Sequence, residues 1–202
     1  MKLIKKLLSS VMAIACGVSV MCGDWGLLTA GADDTYGVLT YDIIDEDEDG
    51  TYDYVEITDC DESAVSVDIP AEINGLPVES IGSSAFYDCT SLESITIPDS
   101  VTSIEMWAFC SCTSLKSITI PDSVTNIRIC TFKDCTSLES VTLPAGVTSI
   151  ARYAFYGCTS LESITIPDGV TSITEYAFFR CENLKSVHIP VSYTHLTLPT
   201  IA

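Results

Sequence analysis

A β-rich solenoid of 23-residue coils is the fold class that this 202-residue sequence predicts. Three observations predict it. One pattern recurs in register from Phe86 through Phe109, Phe132, Phe155 and Phe178. Within each period the apolar residues space as short extended segments, not as the 3.6-residue stripe of a helix. A proline, the first being Pro98, follows the leading segment of every period and ends it, because proline has no N–H for a β-ladder.

The chain opens with a segment that the solenoid does not need. MKLIKK is a basic leader, and LLSSVMAIACGVSVM is an apolar run of 15 residues. That run is shorter than the roughly 18–20 residues that cross a bilayer. Ala30-Gly31-Ala32 then supplies a small-residue cleavage site. Residues 1–32 are therefore expected to be a secretory signal peptide, leaving a mature chain from Asp33 that is secreted or surface-bound and has no membrane span. A lipid anchor at Cys16 or Cys22 is the alternative, but the residues before them match a lipobox poorly.

Residues 33–64 are expected to form an acidic N-terminal β-hairpin that caps the first coil. GVLTYDII and TYDYVEIT are rich in Thr, Tyr, Val and Ile, and Asp49-Gly50 between them is a hairpin signal. The same stretch carries a second reading. Asp45, Asp47, Asp49, Gly50, Asp53 and Glu56 fit D-x-D-x-D-G-x-x-D-x-x-E, a spacing with which carboxylates, a turn-forming glycine and a late bidentate glutamate wrap one calcium ion. No cofactor other than that calcium is called for. The strand-like flanks favour the hairpin over the helix–loop–helix form of the motif.

Residues 65–190 carry the repeat, F-x-x-C-x-x-L-x-S-[IV]-x-[IL]-P-x-x-V-T-x-I. In the unit from Phe86, Leu92, Ile95 and Ile97 face inward along a short strand while Ser94 and Thr96 point out. Val101 and Ile104 bring a second extended segment inward. Ala108 and Phe109 close the coil through a tight or single-turn helical segment. One coil cannot bury enough apolar surface to fold alone, so stability must come from stacking. Cys89, Cys112, Cys135, Cys158 and Cys181 occupy one column and read as small, buried, weakly polar side chains. A metal site is a poor fit, since each coil supplies one thiol and there is no C-x-x-C pair. Cys60, Cys110 and Cys130 stand outside the column; a Cys110–Cys130 pair is one option, which sequence alone does not show.

The AF-x-x-C-x-x-L-x-S-[IV]-x-[IL]-P-x-x-V-T-x-I pattern resembles the BspA-like leucine-rich repeats of secreted bacterial proteins. VDIPAEINGLPVESIGSSAF (residues 67–86) resembles that family's longer entry repeat. The resemblance implies a leucine-rich-repeat solenoid displayed outside the cell. Such families are associated with surface attachment and with binding of proteins or glycans, and are not themselves enzymes.

Charge narrows the partners. The chain has 28 acidic and 9 basic residues, and none of the basic ones lies between Asp33 and Leu115. Nucleic acid and anionic lipid need cationic surfaces, so neither is expected as a partner. No G-x-S-x-G elbow, phosphate loop or H-E-x-x-H is present, and the two histidines, His188 and His195, sit in no catalytic pattern. Variation concentrates before each Phe, where Met106, Trp107, Arg128, Ile129, Arg152, Tyr153, Glu175 and Tyr176 fall at a bend of the coil. Aromatic residues beside arginine suit protein recognition, and flat rings stack on sugars. These residues could equally cap the core edge and pack on one another. An extracellular protein or glycan is the expected partner. The alternative function is that of a passive spacer carrying a catalytic or cell-wall-binding domain encoded downstream.

After Pro190 the repeat breaks. Thr194 and Leu196 fit a degenerate last coil loosely, but VSYTHLTLPT is what a transposase adapter used in DNA library preparation would encode, so residues 191–202 are expected to be a non-native tail.

Overall fold

The computed structural model describes residues 34–188. The expected leader at 1–32 and the expected tail at 191–202 lie outside the described residues. Among the described residues every regular element is a strand.

Three strands open the chain: β1 (Asp34–Tyr36), β2 (Leu39–Ile44) and β3 (Tyr54–Cys60). The hairpin of β2 and β3 pairs Tyr41 with Ile57 and Ile43 with Val55. Alternation puts Leu39, Tyr41, Val55 and Ile57 on one buried face, with Asp42 exposed on the other side and Glu56 half-buried. A longer coil follows: β4 (Ser66–Asp68), β5 (Glu72–Ile73) and β6 (Leu76–Ile81). β5 and β6 form a hairpin whose turn residues, Asn74 and Gly75, have φ of 54° and 81°. Asn-Gly is the dipeptide that tolerates two successive positive φ values, as a type I′ turn requires. The inserted hairpin explains the register. Ser66 pairs with Ser94, a step of 28, whereas Ser117 pairs with Ser140, a step of 23. β3 runs parallel to β6, so the capping hairpin continues directly into the solenoid.

Each later coil contributes two short strands. They are β7 (Ser94–Thr96) and β8 (Ser103–Ile104), β9 (Ser117–Thr119) and β10 (Asn126–Ile127), β11 (Ser140–Thr142) and β12 (Ser149–Ile150), β13 (Ser163–Thr165) and β14 (Ser172–Ile173), and β15 (Ser186–His188). All inter-coil pairing is parallel and in register, mostly like with like: Ser117 with Ser140, Thr119 with Thr142, Ile127 with Ile150, with Asn126 on Ser149 and Thr165 on His188 as departures. The outward Ser, Thr and Glu/Lys columns are solvent-facing ladders. Glu93 reaches Lys116 at 2.6 Å, and Glu162 reaches Lys185 at 3.2 Å, each pair joining neighbouring coils.

Two local details differ from the pattern read in sequence. Leu92 is fully buried but sits in the turn before β7, with its N–H donating to Cys89 O. Its spacing of three from Ile95 is a turn spacing, not a strand one. The Ala-Phe segment is not a helical turn but two overlapping tight turns, because a residue on each side of the Phe has positive φ. Trp107, Cys130, Tyr153 and Tyr176 take φ of 57–60° two residues before it, and Asp88, Ser111, Asp134 and Arg180 take φ of 59–63° two residues after it. That conformation costs a non-glycine residue roughly 1–2 kcal/mol. It also turns backbone N–H groups along the stacking axis. Trp107 N–H donates to Ile129 O, Cys130 N–H to Arg152 O, Ser111 N–H to Lys133 O and Asp134 N–H to Tyr156 O, each one coil on. The turn side is thereby hydrogen-bonded between coils as continuously as the strand sides.

The core is a set of columns. Phe86, Phe109, Phe132, Phe155 and Phe178 stack with ring centroids 5.0–5.5 Å apart. The cysteine column does more than fill space. Cys112, Cys135, Cys158 and Cys181 donate their thiol protons to the carbonyls of Phe86, Phe109, Phe132 and Phe155 at 3.0–3.1 Å. Alanine would fit the slot but leave that bond unmade. Burial pushes the Cys112, Cys135 and Cys158 thiols well above the ordinary range, so they stay protonated in the fold.

Candidate functional site at the aromatic bend

The variable residues before each Phe lie on the turn side, where the backbone is left-handed at Trp107, Cys130, Tyr153 and Tyr176, and of these Cys130 is buried. The structure divides the expected site residues into two groups. In the first, Met106, Trp107 and Ile129 are 43%, 47% and 41% exposed, an unusually open set of large apolar groups. Beside them an open cleft of about 260 Å³ is lined by Met106, Asn126, Arg128, Ile129 and Ala151, among others. Arg128 reaches Glu105 of the preceding coil at 3.2 Å, which fixes a charged rim beside the apolar patch.

In the second group, Tyr153 and Tyr176 stack at 5.4 Å. Arg152 lies over both rings, 4.7 Å and 5.7 Å from their centroids, and pairs with Glu175 at 3.6 Å. Here the rings do pack on one another, one of the two roles the sequence left open. Sequence reasoning missed half of this group. Tyr156 meets Tyr153 edge-on at 5.6 Å and stacks on Phe179 at 5.6 Å, and Lys133 and Arg180 sit over the Tyr156 ring. The signal was present: the residue after each Phe varies as freely as those before it (Tyr87, Cys110, Lys133, Tyr156, Phe179).

The acidic loop of the cap is a separate feature. Asp45, Asp47 and Asp49 each offer a carboxylate oxygen, all within 4.8 Å of one another. Asp45 Oδ1 is buried without a hydrogen-bond partner, while Asp45 Oδ2 accepts the Gly50 N–H at 3.0 Å. The other two expected ligands are turned elsewhere. Asp53 Oδ2 accepts the Glu46 N–H at 2.7 Å, and Glu56, on β3, accepts the Ser80 hydroxyl at 2.6 Å. The twelve-residue wrap is thus not assembled; three of its carboxylates are.

Among the described residues no helix is long and apolar enough to cross a membrane. His188 ends the Thr column on β15, paired with Thr165.

Comparison with known proteins agrees with this architecture. No curated protein matches the chain significantly. Among solved structures, a leucine-rich repeat protein from Bacteroides ovatus is 38% identical with a TM-score of 0.71, covering 79% of this chain and 42% of its own. The chain thus spans less than half the length of that relative. A T. pallidum leucine rich repeat protein is 32% identical, also with a TM-score of 0.71, over 79% of this chain and 72% of its own. Six copies of the BspA type leucine rich repeat region match residues 79–198, and the chain belongs to that family of bacterial leucine-rich-repeat modules.

Proposed function

We propose that the chain is a secreted or surface-displayed, non-catalytic recognition module that binds an extracellular protein or glycan through the aromatic bend. The observation that carries this reading is Trp107. Its side chain is half exposed, on a backbone with φ of 60°, and among the described residues no ring stacks on it. A tryptophan there is less favourable than a glycine by the left-handed strain and by the apolar surface left in water. The Tyr153–Tyr176 stack offsets a comparable strain within the chain, at about 0.5–1.5 kcal/mol for an aromatic pair. Trp107 has no such internal compensation, and burial against a partner supplies it.

The test is retention of extracellular-matrix proteins and a glycan panel on the immobilised chain. Trp107→Ala is expected to weaken the retained ligand by about thirtyfold or more, the scale of an interface anchor. Its urea midpoint should stay at the wild-type value. A chain that retains nothing from either panel acts as a spacer, and the proposal fails.

A narrower proposal concerns the cap. Three converging carboxylates, one with a buried oxygen lacking a partner, suit a weakly held calcium ion, on the order of 10⁻⁴–10⁻³ M as in extracellular modules. Calorimetry should show calcium binding that Asp45→Asn abolishes. Absence of heat at millimolar calcium removes the ion from the account.

A further inference from the structure

The cysteine column contains one member that breaks its own rule. Four of its thiols donate to a Phe carbonyl one coil back. Cys89 belongs to the first Phe-bearing coil and has no such Phe behind it; the residue 28 before Phe86, the step across this longer coil, is Thr58. What lies behind it is the capping hairpin. The register shows which residue it meets. Ser66 pairs with Ser94, and Val65 O accepts the Glu93 N–H at 2.8 Å. Counting back five residues along both segments sets Cys89 opposite Asp61, which is exposed, so the neighbouring inward residue is Cys60, the last of β3. Both are buried in the same core, 4% and 1% exposed, and each thiol perturbs the other's ionisation.

We propose that Cys60 and Cys89 are a disulfide-forming pair that covalently fastens the capping hairpin to the first coil. Cys60 is outside the 23-residue period, so the repeat does not account for a cysteine there. Two buried thiols set beside each other by the register are also the arrangement from which a disulfide forms with little backbone movement. The two thiols are not equivalent. The neighbouring Cys89 thiol holds the Cys60 thiol below its ordinary value, and Cys60, helped by burial, pushes Cys89 up.

The oxidant is a small-molecule disulfide such as glutathione disulfide, met while the cap docks and before the pair is enclosed. One of the two cysteines attacks as thiolate at a glutathione sulfur, the glutathione S–S bond breaks, and one glutathione leaves as a thiol carrying the released proton. The other cysteine sulfur then attacks the protein sulfur of the mixed disulfide, losing its own proton, and the second glutathione thiol departs. Two protein thiols are oxidised to one disulfide, and one glutathione disulfide is reduced to two thiols. A leader of the kind read in residues 1–32 would deliver the chain to an oxidising compartment where such a bond persists. The inference is independent of the binding role of the bend.

The experiment is to refold the reduced chain in a glutathione redox buffer, trap free thiols by alkylation at acid pH, and map peptides after Glu-C digestion without reductant. A reductant-sensitive peptide linking Cys60 to Cys89 in a monomeric chain is the expected result. Oxidised chain should also show an unfolding equilibrium constant about a hundredfold lower than reduced chain. Cys60→Ala should remove that difference, and Cys110→Ala should keep it. Alkylation of both Cys60 and Cys89 in the refolded chain overturns the proposal. So does a link confined to Cys110 and Cys130, or a Cys60 link between two chains. The wild-type map gives the answer even if Cys60→Ala folds poorly.

Discussion

Phe132→Ala is expected to destabilise the chain by about 3–5 kcal/mol, the range for emptying a fully enclosed aromatic site. Phe132 is 0% exposed and stacks on Phe109 at 5.5 Å and Phe155 at 5.3 Å, so its ring is shared by two inter-coil interfaces. In a chain where each coil meets only its neighbours, a weakened central interface also uncouples the halves. Urea unfolding should therefore show a broader transition as well as a lower midpoint. Phe178→Ala is the comparison: Phe178 is half-buried and has one described ring neighbour, Phe155. Equal losses for the two substitutions would mean that stacking adds nothing beyond burial.

Alkali is the second strong perturbation. Cys112, Cys135 and Cys158 are each 0% exposed, and burial raises each thiol above the ordinary value of 9.0. In the unfolded chain they ionise near that value; in the fold they hold their protons. Above it the unfolded state binds fewer protons than the folded one, so stability falls as pH rises. The contribution of these thiols is fully present below pH 9 and declines above it. At one pH unit above 9.0 each thiol favours unfolding by about 1.4 kcal/mol, so the three together remove about 4 kcal/mol between pH 8 and pH 10. Urea midpoints at the two pH values measure this. Replacing the three cysteines by alanine should lower the midpoint at pH 8 yet flatten its dependence on pH. A slope that survives the replacement would assign it to other groups.

Periodicity made the interior legible. Each Phe, Cys, Leu and Val column in the sequence is a physical column in the fold, because identical neighbours must solve one packing problem identically. The capping hairpin was legible for a local reason, since β2 and β3 alternate and flank Asp49-Gly50. What periodicity hid was anything that spans a break in it. The Asn74-Gly75 hairpin lengthens one coil, so no fixed spacing pointed from Cys60 to Cys89. Direction was hidden too. The spacing of Asp53 and Glu56 suits a calcium loop, yet Asp53 bonds the Glu46 N–H and Glu56 reaches across to Ser80 on the parallel partner strand. The aromatic bend was legible as variation and illegible as geometry. Nothing in the letters shows that Trp107 and Tyr153 occupy left-handed positions, where most sequences place Gly or Asn.

Like pairing with like, Ser117 on Ser140 and Ile127 on Ile150, makes successive coils interchangeable modules. In-frame duplication or loss of one period by recombination between near-identical stretches of the gene would rejoin the same surfaces. The length of such a protein is then a heritable variable that drifts without disturbing any single interface. The variable bend residues are carried on these modules, so shuffling coils reorders the exposed side chains and their ring and ion pairs while the strand ladders stay constant.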